Sequence, residues 1–407
     1  MDMAVEKVQQ LHGSVANFTH VRLFGPEMDS CETIADWCDF YLARWYYSYQ
    51  DRQNRIPVFI WPACMESSKV RLLAAAWNTL FITTAGSDMA IRERGKGPTW
   101  ISMSFASIPG YVRLYLSLLH TFRWSSVFVV IDEASLGFYL ESSAAFVKTV
   151  ENMAKNVTLT LRRVSSLKSP DLDAILQDFR KVSRVFIFFG HAPILRRILV
   201  KAALSNMTNG DFVYIATQVI PIRATGNFTW KYGDADDQIA KEAFRSLILV
   251  DQYYAAWSLR PSVFELAAEI QKREVNQYNL TITPMDAIVR ELVVSNQSSL
   301  LRDGATLAQY FFNKTFDTAA GSIYIDSYGQ RLMDAAVMRY DGENVVPRPI
   351  FYQDAQTLNM QHIANWTWNG LLNYFPPDKP LCGFSGDQCL GYSVLIGWHI
   401  FATTGGP

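Results

Sequence analysis

Short, uninterrupted apolar runs recur along the chain at Val58–Trp61, Leu80–Thr83, Val127–Ile131, Val185–Phe189, Phe212–Ala216 and Leu247–Val250. Runs of this length without polar alternation suit strands covered on both faces, as parallel sheets require. Segments with helical period lie between them. Cys31, Ile34, Cys38, Leu42 and Trp45 fall on one stripe, and Ile194, Leu195, Ile198, Leu199, Ala202 and Ala203 make another. Met3–Val8 also reads as helix, as though a strand should precede it. After Asn313 the pattern changes, with Gly321–Asp326 and two short strands expected over Ala335–Tyr340 and Val345–Phe351. Strand–helix alternation predicts an α/β fold of doubly wound parallel sheets with right-handed crossovers. No short-period repeat or low-complexity segment interrupts it.

At 407 residues the chain exceeds one ordinary domain, so two lobes are expected. Two polar stretches, Arg92–Thr99 and Arg223–Asp237, suggest where lobes meet. Gly95 and Gly97 in the first are followed by Pro98-Thr99-Trp100 and not by a helix-opening glycine, which is a poor dinucleotide fingerprint. Hydrophobic residues at 49% and charged residues at 18% supply two real cores. The formal net charge of −1, with no basic run, removes nucleic acid from the expected partners.

Asparagine and cysteine usage change the picture more. Acceptor triplets Asn-X-Ser/Thr occur at Asn17, Asn156, Asn206, Asn227, Asn279, Asn296, Asn313 and Asn365, eight of the seventeen asparagines. Chance gives about two, so these read as glycosylation sites on a chain that passed through the secretory pathway. Five cysteines fit an oxidising compartment. Cys382 and Cys389 can close a loop of their own. Cys31 and Cys38 are too far apart along a helix to bridge each other, so one of them pairs with Cys64. No Cys-X-X-Cys pair and no neighbouring histidine point to zinc.

The catalytic motifs Gly-X-Ser-X-Gly, His-Glu-X-X-His and a Walker loop do not occur in the sequence. No pair of acidic residues stands out as an acid–base couple. Of six histidines only His191 has a notable address, directly after the Val185–Phe189 run and Gly190, where an open α/β sheet faces its ligand crevice. The chain is therefore expected to bind and not to catalyse. No charged start followed by an apolar stretch marks a signal peptide. Tyr392–Thr404 is largely apolar but shorter than the roughly 20 residues that span a bilayer, and reads as a clipped membrane segment or a tail.

Several segments, in order, carry a resemblance to a known family. Cys31, Pro62-Ala63-Cys64, Val70–Asn78 and Phe81–Thr84 are followed by Pro98–Ile101, Leu119–Val130, Asn209–Ile215 and Asp236–Val250. Phe312–Phe316, Ser322–Asp326 and the proline-led Pro376–Cys389 then complete the order. Together they resemble the atrial natriuretic peptide receptor ligand-binding family, and the last segment is similar to receptor guanylyl cyclases in particular.

The resemblance implies a type I periplasmic-binding-protein fold of two lobes joined by three crossovers, near 102–107, 217–222 and 316–322. Lobe 1 is then expected over 1–104 and 220–318 and lobe 2 over 105–219 and 319–375. A juxtamembrane disulfide loop over 376–391 and the segment 392–407 follow. It also implies bridges Cys31–Cys64 and Cys382–Cys389, which leaves Cys38 as the odd thiol. The family's chloride site uses a glycine where Ala63 stands, and no serine matches its other element, so no cofactor is expected and this departure counts against chloride. Cleft-facing candidates are Thr84 and Ser87 in the loop after Leu80–Thr83, with Ser104 and Glu133. A peptide in such receptors sits between protomers. The implied function is the extracellular sensor region of a single-pass receptor guanylyl cyclase at the cell membrane. It would bind a peptide or small-molecule ligand as a homodimer and be anchored by a segment after residue 391. A clearance-type or decoy receptor without a cyclase is the alternative. An α/β enzyme or transporter component, or a glutamate-receptor-like amino-acid binder, are the remaining classes.

Overall fold

A computed structural model describes residues 2–14, 16–24, 31–48, 55–61, 67–84, 89–104, 107–218, 225–252, 302–318, 321–357, 359–385 and 388. Two compact units share the chain. The first takes Met1–Gly110, Tyr253–Asp334 and Asp354–Thr357; the second takes Tyr111–Gln252, Ala335–Gln353 and Leu358–Pro407.

In the first unit the apolar runs form β1 (Val58–Trp61) and β2 (Leu80–Thr83), joined in parallel by β3 (Trp100–Ser102). Side chains alternate across this sheet because the strand period is two. Leu80, Ile82 and Ile101 face a core with Leu307, Ala308 and Phe311, from and just beyond the helix Gly304–Gln309. Phe81 and Trp100 face the other way, onto Cys38, Leu42, Val70 and Ala74 of the helices Cys31–Ser48 and Ser67–Ala76. Ile34, Cys38, Leu42 and Trp45 of the stripe read from the sequence thus pack where its period predicts. The glycine-led segment after Asn313 is a separate antiparallel sheet of β9 (Lys314–Thr318), β10 (Gly321–Ile325) and β11 (Arg331–Leu332).

The second unit is built on one eight-stranded sheet. Its parallel part is β4 (Ser126–Asp132), β5 (Thr158–Val164), β6 (Val185–Phe189), β7 (Val213–Thr217) and β8 (Leu247–Gln252). They lie in the spatial order β5-β4-β6-β7-β8. Every residue of β4, β6, β7 and β8 is buried, which is why these strands read as unbroken apolar runs. Beyond β8 the sheet continues antiparallel through β12 (Ala335–Arg339), β13 (Arg348–Gln353) and β14 (Met360–His362). In chain order the described helices up to β7 are α1 (Asp2–His12), α2 (Cys31–Ser48), α3 (Ser67–Ala76), α4 (Ile108–Thr121), α5 (Gly137–Met153), α6 (Leu172–Val182) and α7 (Ala192–Leu204); two matter for the site, α5 after β4 and α7 after β6.

Three expectations are corrected. The lobe boundaries fall later than expected, because Leu247–Gln252 hydrogen-bonds into the second unit's sheet through Thr217↔Val250, whereas Gly321–Ile325 pairs with Lys314–Thr318 in the first. Arg92–Thr99 and the described part of Arg223–Asp237 are not boundaries, since each lies inside one unit. In the first, Arg94 donates to the carbonyls of Pro98 and Trp100; in the second, Arg196 forms ion pairs with Asp234 and Asp237. The strand expected from Val345 begins at Arg348, since Val345 and Val346 are exposed in a turn held by the Asp341 carboxylate, which accepts the N–H groups of Glu343 and Asn344.

Candidate functional site

In an open α/β sheet the ligand crevice lies beyond the carboxyl ends of the strands, where the strand order reverses. In the second unit that reversal is between β4 and β6, with β5 on one side and β7 and β8 on the other. Glu133 follows β4 and His191 follows β6, so the topology brings these two residues to the switch point.

The floor of this site is Asp132, the last residue of β4 and fully buried. One carboxylate oxygen accepts the N–H groups of Ala134 at 3.2 Å and Ser166 at 2.9 Å, and the other accepts the Ser135 hydroxyl at 3.0 Å. A single side chain therefore holds the loops after β4 and β5 in one arrangement. Glu133 beside it is exposed and pairs with Arg163 of β5 at 3.3 Å. An ion pair open to water costs little to exchange for another partner, so Glu133 remains available to a cationic group.

His191 stands at the amino end of α7, and its Nε2 accepts the N–H of Leu136 at 3.1 Å. That acceptor role places the ring proton on Nδ1. Partial burial lowers the imidazole pKa, opposed by the nearby Asp132 carboxylate, so the neutral ring is favoured. Its ring also meets Tyr139 edge-on at 5.7 Å.

Further along the same edge, residues that sequence reasoning did not single out form a buried polar set. Tyr115 and Thr217 share a hydrogen bond of 2.6 Å, and Tyr139 donates to the Thr217 carbonyl at 3.4 Å. Asp251 accepts the Gln218 amide at 3.0 Å and the Gln252 N–H at 2.7 Å. Burial pushes the Asp251 carboxyl up to about 7, with the Gln252 N–H opposing it. The available signal was an acidic residue closing an apolar run, as in Val129-Val130-Ile131-Asp132 and Leu249-Val250-Asp251.

In the first unit Thr84 and Ser104 stand just past the carboxyl ends of β2 and β3, which are neighbours in register. Thr84 Oγ1 donates to the Trp61 carbonyl at 3.3 Å, and Ser104 is buried, its N–H donating to Ser102 Oγ at 3.3 Å. Ser87, Ala63, Cys64, Cys389 and the side chain of Cys31 lie outside the described residues. Cys38 is fully buried among apolar neighbours. Asn17, Asn156, Asn206, Asn227, Asn313 and Asn365 are all exposed, and Asn279 and Asn296 lie outside the described residues.

The second unit has one more surface feature. A groove of about 530 Å³ runs between α5 and β5, lined by Ile131, Val147, Lys148, Leu161 and Arg163 among others. Among the described residues β5 is an edge strand, paired only with β4 and mostly exposed. Among the described residues no helix is long and apolar enough to cross a membrane.

Similar proteins point the same way as the fold. The chain is 26% identical to atrial natriuretic peptide receptor 3 of Rattus norvegicus over 297 residues, which cover 68% of this chain and 54% of that protein. It is 22% identical to guanylate cyclase 2G of Rattus norvegicus over 368 residues, 84% of this chain and 32% of the relative. A receptor-type guanylate cyclase of Caenorhabditis elegans is 24% identical over 253 residues, 54% of this chain and 19% of the relative. The chain thus spans about half the length of the first of these relatives and less of the two cyclases. Residues 1–251 match the profile of the receptor family ligand binding region. With more than half of its length inside that profile, the chain belongs to the receptor family ligand-binding region.

Proposed function

We propose that this chain is the extracellular ligand-binding region of a single-pass receptor guanylyl cyclase, and that it binds a peptide or sensory ligand as a homodimer. The observation that carries the reading is the family match together with a second unit whose switch point presents Glu133 and His191 on a buried frame. The cyclase reading is favoured by the longer alignment to guanylate cyclase 2G, 84% of the chain against 68% for the natriuretic peptide receptor. The higher identity to atrial natriuretic peptide receptor 3 favours the second reading, a receptor with the same outer region and no cyclase.

The second unit suits an extended peptide. The outer backbone edge of β5 can accept a further strand, and the groove beside it offers apolar lining together with the charged Lys148, Glu151 and Arg163. Movement of one unit against the other, or of one protomer against its partner, would turn a difference in ligand affinity into a shift of populations. The six exposed acceptor asparagines support a glycosylated, lumenal or extracellular surface. In this reading Cys31–Cys64 and Cys382–Cys389 are bridged, Thr84 and Ser87 contribute from the loop after β2, and a segment after residue 391 leads to the membrane.

Binding of labelled atrial natriuretic peptide to the secreted chain, with Leu161→Asp and Arg163→Glu as variants, tests the ligand part. Saturable binding weakened tenfold or more by either substitution supports it; no saturable binding by any natriuretic-type peptide removes it. Reading the transcript beyond residue 407 separates the two receptor types.

A further inference from the structure

The chain leaving the second unit's sheet does not hang from it as a tether. Phe375 is enclosed by rings, with centroids 4.8 Å from Phe122, 4.9 Å from Trp368 and 5.2 Å from Trp366. The next residue, Pro376, gives its carbonyl to Trp124 Nε1–H at 2.9 Å. Asp378 is buried, and its Oδ2 accepts the N–H groups of Ser125 and Ser126, each at 2.5 Å, and the Ser125 hydroxyl at 3.1 Å. Its carbonyl accepts the N–H of Arg184 at 2.9 Å. Hydrogen bonds to an ionised acceptor are about twice as strong as neutral ones, and burial shields these from water.

Ser126 opens β4 with Ser125 just before it, and Arg184 precedes β6. These are the two strands whose carboxyl ends lead into Glu133 and His191. One residue therefore grips the amino ends of both strands that meet at the switch point. The seven buried residues of β4 span about 23 Å from grip to site.

We propose that Asp378 is a latch that makes residues 375–382 part of the rigid frame of the second unit, so that β4 and β6 link the switch point directly to the chain leading toward Cys389. Asp378 acts here as a positioning residue. The latch stands on the chain alone; its use in passing a ligand signal to the membrane rests on the receptor reading above. The downstream turn is compatible with a stiff exit, since Gly383 N–H donates to the Pro380 carbonyl at 2.9 Å and Gln388 N–H to the Cys382 carbonyl at 3.1 Å.

Hydrogen exchange on the secreted 407-residue chain decides the matter. Asp378→Ala should speed exchange at Ser125, Ser126, Arg184 and Gly383, whose amides are hydrogen-bonded at the latch or in the turn after it, at least tenfold, while amides of Val185–Phe189 and Val213–Thr217 stay within twofold of the parent. Asp378→Asn, which keeps an acceptor oxygen without the charge, should give a smaller acceleration at the same positions and serves if the alanine variant is not secreted. Unchanged rates at Ser125, Ser126, Arg184 and Gly383 in a folded variant would overturn the latch. So would acceleration spread through β6 and β7, which would make Asp378 an ordinary element of global stability. Peptide binding by the same samples is read separately, so a failed receptor reading and a failed latch give different results.

Discussion

The Nε2 of His191 accepts the backbone N–H of Leu136 at 3.1 Å, which fastens the amino end of α7 to that of α5 across the switch point of the second unit. The bond needs a neutral imidazole, and burial favours that form. A depressed histidine pKa means the unfolded chain binds the proton more readily than the folded one. The contribution to stability is therefore present above the unfolded value, about 6.5, and is lost as pH falls through the lower folded value. His191→Ala should cost about 1 kcal/mol at neutral pH. Thermal unfolding compared at pH 7.5 and 5.5 should show less acid sensitivity in the variant than in the parent.

Asp251 has the opposite sign. Its carboxyl is raised to about 7 by burial, so the folded chain holds a proton that the unfolded chain releases. The stabilisation is complete below the unfolded value near 3.8, declines as pH rises, and is gone above about 7. Asp251→Asn should remove this decline and stabilise the second unit at pH 8 by an amount on the order of 1–3 kcal/mol. Denaturant melts of parent and variant across pH 5–8 check it, and parallel curves would show that Asp251 is not the titrating group. Between the folded and unfolded values of His191 the two residues oppose each other, so the single substitutions are needed to see either.

Gly190 separates β6 from His191. A Cβ there would lie 2.5 Å from the Phe188 ring and 2.9 Å from Asp132 Cβ, both on buried residues. Gly190→Ala should therefore cost roughly 1–3 kcal/mol as the neighbours shift. It should also weaken the grip of Asp132 on Ser166, seen as faster amide exchange at Ser166. A variant with parental melting and exchange would mean the loop adjusts freely.

Exposure of Asn17, Asn156, Asn206, Asn227, Asn313 and Asn365 leaves each within reach of the glycosylation machinery. Chain secreted from animal cells should lose the mass of several glycans on glycosidase treatment, and each Asn→Gln change should remove at most one. An unchanged mass would undo the compartment reading.

Peptide mapping without reduction should return Cys31–Cys64 and Cys382–Cys389. Cys38 is fully buried in the core that also holds Leu42, Phe59 and Trp61. Finding a Cys38–Cys64 bridge would refute the assignment carried by the family resemblance.

The apolar runs at Val58, Leu80 and Val185 coincide with β1, β2 and β6 because strands covered on both faces admit little else. β5 escaped because it is an edge strand. Thr158, Arg162 and Arg163 face water, and nothing in Thr-Leu-Thr-Leu-Arg-Arg-Val distinguishes an exposed strand from a loop. His191 was legible from its position after an apolar run and a glycine. The place of Asp251 at the end of an apolar run was legible too, but its altered acidity was not, since that comes from what surrounds it and not from its neighbours in sequence.

Local periodicity and strand-length apolar runs thus determined the α/β class, most central strands and the helical stripes, because each depends on residues close along the chain. Which strands lie side by side, where the lobe boundaries fall, and that Asp378 reaches back some 250 residues to Ser125 and Ser126 were decided only by the tertiary structure. Those features arise when buried hydrogen-bonding groups from distant segments must satisfy one another, and no short window of sequence contains both partners.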